Sequence, residues 1–120
     1  CFLMCGQELA TAAQYGANVI FVVVNNGMYG TIRMHQEREY PARVHGTALS
    51  NPDFVLLARA YGAHAELVEE TSQFAAAFER AVNATESGGK PALIELRIDP
   101  QAITPNTTLD ALREQALKKR

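Results

Sequence analysis

Residues 25–30 read Asn-Asn-Gly-Met-Tyr-Gly and follow at once on Val19-Ile20-Phe21-Val22-Val23-Val24. An Asn carboxamide oxygen and a free backbone carbonyl are hard, neutral ligands of the kind Mg2+ accepts when carboxylate and phosphate oxygens complete its octahedron. Gly27 and Gly30 let backbone approach a ligand closely or turn through positive φ, and the first amides of a helix that follows would point outward without partners. The chemistry open to this stretch is to clamp a diphosphate through a divalent ion. The same residues also make a plain turn, because Asn and Gly are common turn formers after a strand.

Other polar residues offer less. His35 falls in the helix after the loop and could face a substrate, although a His on a mostly polar helix is usually just solvated. His45 and His64 have no Cys, His or acid at metal-ligand spacing. Glu8, one helical turn past Cys5, can be read as a general acid or, more simply, as a structural residue. Glu66, Glu69 and Glu70 read as a solvated edge, and Phe54, Tyr61, Phe74 and Phe78 as core at helical spacing.

The elements that must position the loop follow from periodicity. Leu3, Cys5, Leu9, Ala12 and Ala13 predict a helix over 3–15 ending at Gly16. Six consecutive apolar residues at 19–24 lack the alternation of a half-solvated strand, which predicts the central strand of a parallel sheet, covered on both faces. A helix over 29–38, a Pro- and Gly-bearing loop over 40–50, and a helix from Asn51-Pro52-Asp53 to Gly62 come next. His64 to Val68 reads as a strand, Thr71 or Ser72 as the cap of a helix closed by Gly88-Gly89, and Pro91 to Ile98 as a strand. Thr107 or Thr108 caps a tail helix. The order α-β-α-α-β-α-β-α is that of an α/β fold, a parallel sheet layered by helices, with no internal repeat. In such sheets ligands collect beyond the carboxyl ends of the strands, where residues 25–30 lie.

Composition bounds the rest. The 120 residues suffice for one core; 48% are apolar and 20% charged, as in ordinary globular proteins. A net charge of −2 argues against a nucleic-acid partner, and Lys118-Lys119-Arg120 is too short a basic run to change that. No apolar segment approaches a bilayer span, which predicts no membrane partner. Two cysteines, Cys1 and Cys5, form neither a disulfide framework nor a zinc set and fit a reducing cytoplasm. Asn83 and Asn106 begin N-x-T sequences that matter only in a secreted chain. Cys1-Phe2-Leu3 opens into an apolar pattern without a cap or initiator Met, which leads to the expectation of a fragment of a longer polypeptide.

Three stretches together carry a resemblance: Gln7-Glu8-Leu9-Ala10-Thr11-Ala12, then Asn18 through Gly30, then Asn51-Pro52-Asp53-Phe54 with Ala60-Tyr61-Gly62. In this order they resemble the carboxy-terminal, diphosphate-binding domain of thiamine-diphosphate enzymes, in the acetohydroxyacid synthase and benzoylformate decarboxylase branch, over nearly the whole of 1–120. Those enzymes carry Gly-Asp-Gly, a spacer the length of residues 1–24, and then Asn-Asn. The resemblance therefore implies a domain truncated at its N-terminus, beginning just after that triplet.

It also implies roles. Asn26 would give its side-chain oxygen, and Met28 its backbone carbonyl, to Mg2+; Asn25 would orient the loop. Backbone amides around Tyr29, Gly30 and Thr31 would meet the diphosphate of thiamine diphosphate, with Cys1 beside the phosphates. The implied reaction is that of a lyase or transferase acting on a 2-keto acid as a decarboxylase or carboligase, in a homo-oligomer (dimer or tetramer) of the intact protein. The family's catalytic glutamate lies in another domain, so the 120 residues alone are expected to be inactive and to expose apolar surface. Acetohydroxyacid synthases read Gln-Gly after the metal loop and carry a Trp further on. Here Tyr29-Gly30 and His35 stand in those places; Tyr29-Gly30 is also found in decarboxylase-like relatives, which widens the substrates to aryl or longer aliphatic 2-keto acids or an acyl-CoA derivative. A non-catalytic α/β domain for nucleotide binding or assembly is the alternative.

Overall fold

The computed structural model describes residues 1–119; Arg120, the last of the basic run, lies outside the described residues. The chain divides into two compact units, Cys1–Val24 with Pro52–Arg97, and 25–51 with 98–119.

The first unit holds α1 (Glu8–Gln14), most of β1 (Ile20–Asn25), α3 (Phe54–Ala60), β2 (His64–Val68), α4 (Thr71–Glu86) and β3 (Ala92–Arg97). The second holds α2 (Gly30–Glu39), the short strands β4 (Ala102–Thr104) and β5 (Thr107–Thr108), and α5 (Leu109–Lys118). The main sheet has the order β1-β3-β2. β2 and β3 run parallel, from His64 opposite Ala92 to Val68 opposite Leu96. Ala92 N–H donates to the Val19 carbonyl and Ile98 N–H to that of Asn25, so β1 and β3 advance in the same direction and the sheet is parallel.

Alternation along β3 divides the core in two, because successive side chains leave a strand on opposite faces. Leu93 joins Leu9, Val23, Phe54, Ala58 and Ala65 on one side. Ala92 and Ile94 join Val68, Ala77 and Ala81 of α4 on the other. The architecture is the expected α/β sheet layered by helices, but the central strand is β3, not β1. Ala92, Leu93, Ile94 and Glu95 are buried in succession, whereas β1 lies at an edge with Val22 and Val24 exposed. An apolar β-branched run states that a strand can be covered on both faces; it does not say which neighbours flank it. Phe21 and Val23 use one face of β1 for the core.

Other boundaries also shift. The expected helix over 3–15 is a 3-10 turn at Phe2–Met4 followed by α1. Between them the Phe2 ring lies over Gly6, where a Cβ would stand 3.1 Å from it. Phe2 meets Phe21 and Phe54 edge-on. Asp53, not Asn51, is the cap of α3, its carboxylate accepting from Leu56 N–H at 2.8 Å. α4 is capped by Glu70 in a box with Gln73, rather than by Thr71 or Ser72. Of the two expected candidates, Thr107 and Thr108, it is Thr108 that caps α5, accepting from Ala111 N–H. Phe54 is buried and Tyr61 packs on the same core, but Phe74 and Phe78 are not core: they pair with each other, centroids 5.8 Å apart, on the exposed side of α4. The spacing that marks an apolar stripe does not reveal that Ala77 and Ala81 fill the face toward the sheet.

In the second unit a β4–β5 hairpin that periodicity missed, too short to show alternation, precedes α5. α5 is tied to α2 by Arg113, whose guanidinium donates to Glu37 at 2.9 and 2.7 Å.

Candidate cofactor site

Where β1 ends, two carboxamides fold back on the chain. Asn25 Oδ1 accepts from Gly27 N–H at 3.0 Å and Asn26 Oδ1 from Met28 N–H at 3.2 Å, two Asx turns in succession. Gly27 carries φ +69°, the left-handed conformation such a reversal requires. Asn25 Oδ1 also accepts from Asn51 Nδ2 at 2.9 Å, which gives Asn25 the loop-fastening contacts expected of it.

Segment 47–49 lies antiparallel to this loop. Tyr29 N–H donates to the Thr47 carbonyl and Leu49 N–H to that of Gly27, both at 2.9 Å, which makes Met28 and Ala48 a non-hydrogen-bonded pair. In such a pair both backbone groups of a residue face away from the partner strand. The Met28 N–H is turned toward Asn26 Oδ1, so the Met28 carbonyl lies on that same side of the loop. The two oxygens singled out as metal ligands thus share one side. The Asn26 oxygen has a second lone pair beyond the one Met28 N–H engages.

Gly30 opens α2 directly against this feature: a Cβ there would stand 2.7 Å from Asn26 Nδ2 and 3.1 Å from Ile103 Cδ1. Side chains cap α3, α4 and α5, but none caps α2. The Tyr29 N–H is engaged by Thr47, which leaves Gly30 and Thr31 as the amides of the predicted set at the open helix end. Asn26, Met28, Tyr29, Gly30 and Thr31 therefore form one continuous feature of the second unit. Cys1 belongs to the first unit, where it is exposed and its carbonyl accepts from Met4 N–H.

Among the described residues no three His, Cys, Asp or Glu side chains are grouped to hold a metal. The loop offers a cation only neutral oxygens. That donor set suits Mg2+ arriving with the anionic oxygens of a diphosphate, and it suits a bare divalent ion poorly.

Glu37 organises the far end of α2. It is 1% exposed, and Arg33 Nε, Arg113 Nε, Arg113 Nη2 and the Ala42 N–H all donate to its carboxylate at 2.7–2.9 Å. The Arg113 hydrogen bonds, against an opposing effect of burial and with help from Ala42 and Arg33, hold its pKa at about 2. Gln36 stitches the same helix to the loop segment, donating to the His45 carbonyl at 2.7 Å and accepting from the buried Thr47 hydroxyl at 3.3 Å.

Among the remaining polar residues His35 and Glu8 keep their simpler sequence reading, whereas His64 and Glu66 do not. His35 is exposed, and His45 contributes only its carbonyl. His64 does have an acid partner: its Nε2 lies 2.8 Å from Glu66, two residues along the same face of β2. Glu66 is half-buried, not solvated, and takes a two-pronged contact from Arg80, whose hydrogen bonds lower its pKa. Glu69 pairs with Arg97, and Glu8 accepts from the Thr11 hydroxyl. Sequence reasoning did not single out Gln36, Glu37, Thr47 or Arg113, and it read Asn51 as a helix start, not as a partner of Asn25. Only Arg33 and Glu37, four apart on one helix, carried a readable signal.

Comparison with known proteins identifies the family. Residues 1–96 match the family described as thiamine pyrophosphate enzyme, C-terminal TPP binding domain. A probable acetolactate synthase large subunit of Methanococcus aeolicus is 30% identical over 98% of this chain and 20% of its own length. The acetolactate synthase large subunit of Corynebacterium glutamicum is 33% identical over 85% and 17%. Isozyme 2 of Escherichia coli is 33% identical over 82% and 17%. The chain spans about a fifth of the length of these relatives. It belongs to the thiamine pyrophosphate enzyme family, as a C-terminal TPP-binding domain.

Proposed function

We propose that residues 25–31 bind Mg2+ and the diphosphate of thiamine diphosphate in an acetolactate synthase-like enzyme, a decarboxylase or carboligase of 2-keto acids, of which this chain is one part. The observation that carries the reading is the Met28–Ala48 pairing, which turns the Met28 carbonyl to the side of the loop where Asn26 Oδ1 lies. Asn26 and Met28 supply two neutral oxygens to the ion. Gly30 and Thr31 direct their amides at the diphosphate, and the α2 dipole adds to the attraction. Asn25 and Asn51 hold the loop in register. When bound, the cofactor supplies a nucleophilic carbon for attack on the substrate carbonyl and an electron sink for loss of CO2. This chain's residues fix its charged tail so that the reactive end is held in place. The intact protein works as a homo-oligomer on a small 2-keto acid, with no role for nucleic acid or membrane. Among the described residues no helix is long and apolar enough to cross a membrane.

Asn26→Ala in the intact polypeptide tests the reading. The Mg2+ concentration needed for half-maximal cofactor binding should rise roughly tenfold or more, for loss of one charge-assisted ligand. An unchanged Mg2+ requirement would instead favour a domain that serves assembly.

A further inference from the structure

A helix usually holds its direction through an apolar stripe, and α2 has none. Its single buried residue is Glu37. That carboxylate gathers Arg33 from the preceding turn, Ala42 N–H from the turn beyond the helix, and Arg113 from α5. Ala42 adopts φ +61°, unusual for a residue with a Cβ, and its N–H reaches Glu37 Oε2 at 2.9 Å from that conformation. Arg33 in turn donates its backbone N–H to the Tyr29 carbonyl, at the N-cap of α2, so the chain of contacts from Glu37 ends at the first turn. Arg33 is largely buried by this pairing, its side chain 15% exposed, and so is held to Glu37.

We infer that Glu37 and Arg113 are positioning residues for the cofactor site: together they set the direction of α2 and hence where the Gly30 and Thr31 amides point. The inference rests on the reading of residues 25–31 as the diphosphate site, and it assigns part of that site's precision to a helix more than seventy residues away in the chain. A purely apolar docking of α5 would tolerate rotation of α2 about its axis. A bidentate guanidinium on a buried carboxylate does not, because both N–H···O bonds must align.

The test measures affinity of the intact polypeptide for thiamine diphosphate at saturating Mg2+ by calorimetry, beside kcat at saturating cofactor and urea midpoints. Glu37→Gln keeps the shape and loses the charge. Arg113→Lys keeps the charge and loses the fork, at a site 32% exposed where the substitution is accommodated. Arg80→Gln, which breaks an equally close two-pronged pair with Glu66 in the first unit, is the control. Cofactor affinity should fall roughly tenfold in Glu37→Gln and roughly threefold in Arg113→Lys. kcat at saturation should stay within about twofold, and Arg80→Gln should bind as wild type. Should Glu37→Gln not fold, Arg113→Lys decides alone. Wild-type affinity in the folded variants, or an equal loss in Arg80→Gln, overturns the inference. If Asn26→Ala weakens binding in the same assay while these variants do not, the inference falls and the cofactor reading stands. If wild-type protein shows no Mg2+-dependent binding, both fall.

Discussion

Gly30→Ala separates the cofactor site from the stability of the fold. The glycine has no positive φ, so alanine meets no backbone strain there, and as a better helix former it should add up to about 1 kcal/mol in the first turn of α2. The new methyl group would lie 2.7 Å from Asn26 Nδ2, where ordinary contact begins near 3.4 Å, so the carboxamide must retreat by about 0.7 Å. Rotating a side chain by that amount costs little in folding. It costs much more in coordination, because Mg2+ demands near-ideal octahedral ligands at about 2.0–2.1 Å. Loss of one such ligand should weaken Mg2+-dependent cofactor binding by ~1.5–3 kcal/mol, or roughly ten- to a hundredfold. Calorimetric titration of the intact polypeptide would read this, with a thermal melt as the stability control. Ca2+, which accepts longer and more variable contacts, should recover part of the loss. Binding as tight as wild type in Gly30→Ala would refute the reasoning, since the carboxamide could then move without consequence for the ion.

Gly27→Ala should behave in the opposite way at the level of the fold. No atom lies within 4 Å of the added Cβ, so the penalty, roughly 1 kcal/mol or more, comes from the φ of +69° alone and should appear as a lowered urea midpoint. Glu37 gives a pH signature. Its folded pKa of about 2 lies below the ordinary 4.5, so its stabilisation is complete above about pH 4.5 and is lost as pH falls toward 2. At ~1.4 kcal/mol per tenfold change in proton affinity the difference is about 3.5 kcal/mol, and on the order of 2 after screening at the part-exposed Arg113. Urea unfolding of wild type and Glu37→Gln at pH 5 and pH 2 should converge at the lower value. Asp53→Ala removes the α3 cap at Leu56 N–H and should lower stability by about 1 kcal/mol without changing cofactor affinity, as melting and titration together would reveal.

Much of this was legible in the residues themselves. The Asn25–Gly30 stretch after an apolar run located the loop, and Thr108 announced the start of α5 because a hydroxyl before an amphipathic segment is a local signal. What escaped was set by pairing across the chain. β1 looked central because its composition describes its faces, whereas its edge position depends on where β3 lies. Thr47 and Asn51 sat in a segment read as plain loop and helix start, yet they fasten Tyr29 and Asn25; no periodicity links residues so far apart. Nothing in the sequence marked Arg113, and only the fold brings it onto Glu37. Phe74 and Phe78 failed for a subtler reason: the helix buries its alanines, which let α4 approach the sheet closely, and leaves the aromatics outside.

The central claim is that Asn26 Oδ1 and the Met28 carbonyl face one divalent ion. Anomalous diffraction from crystals of the intact protein grown with thiamine diphosphate and Mn2+ would locate that ion directly. The account predicts one peak within about 2.2 Å of both oxygens, beside the open end of α2. A peak elsewhere, with the Asn26 oxygen still bonded only to Met28 N–H, would contradict it.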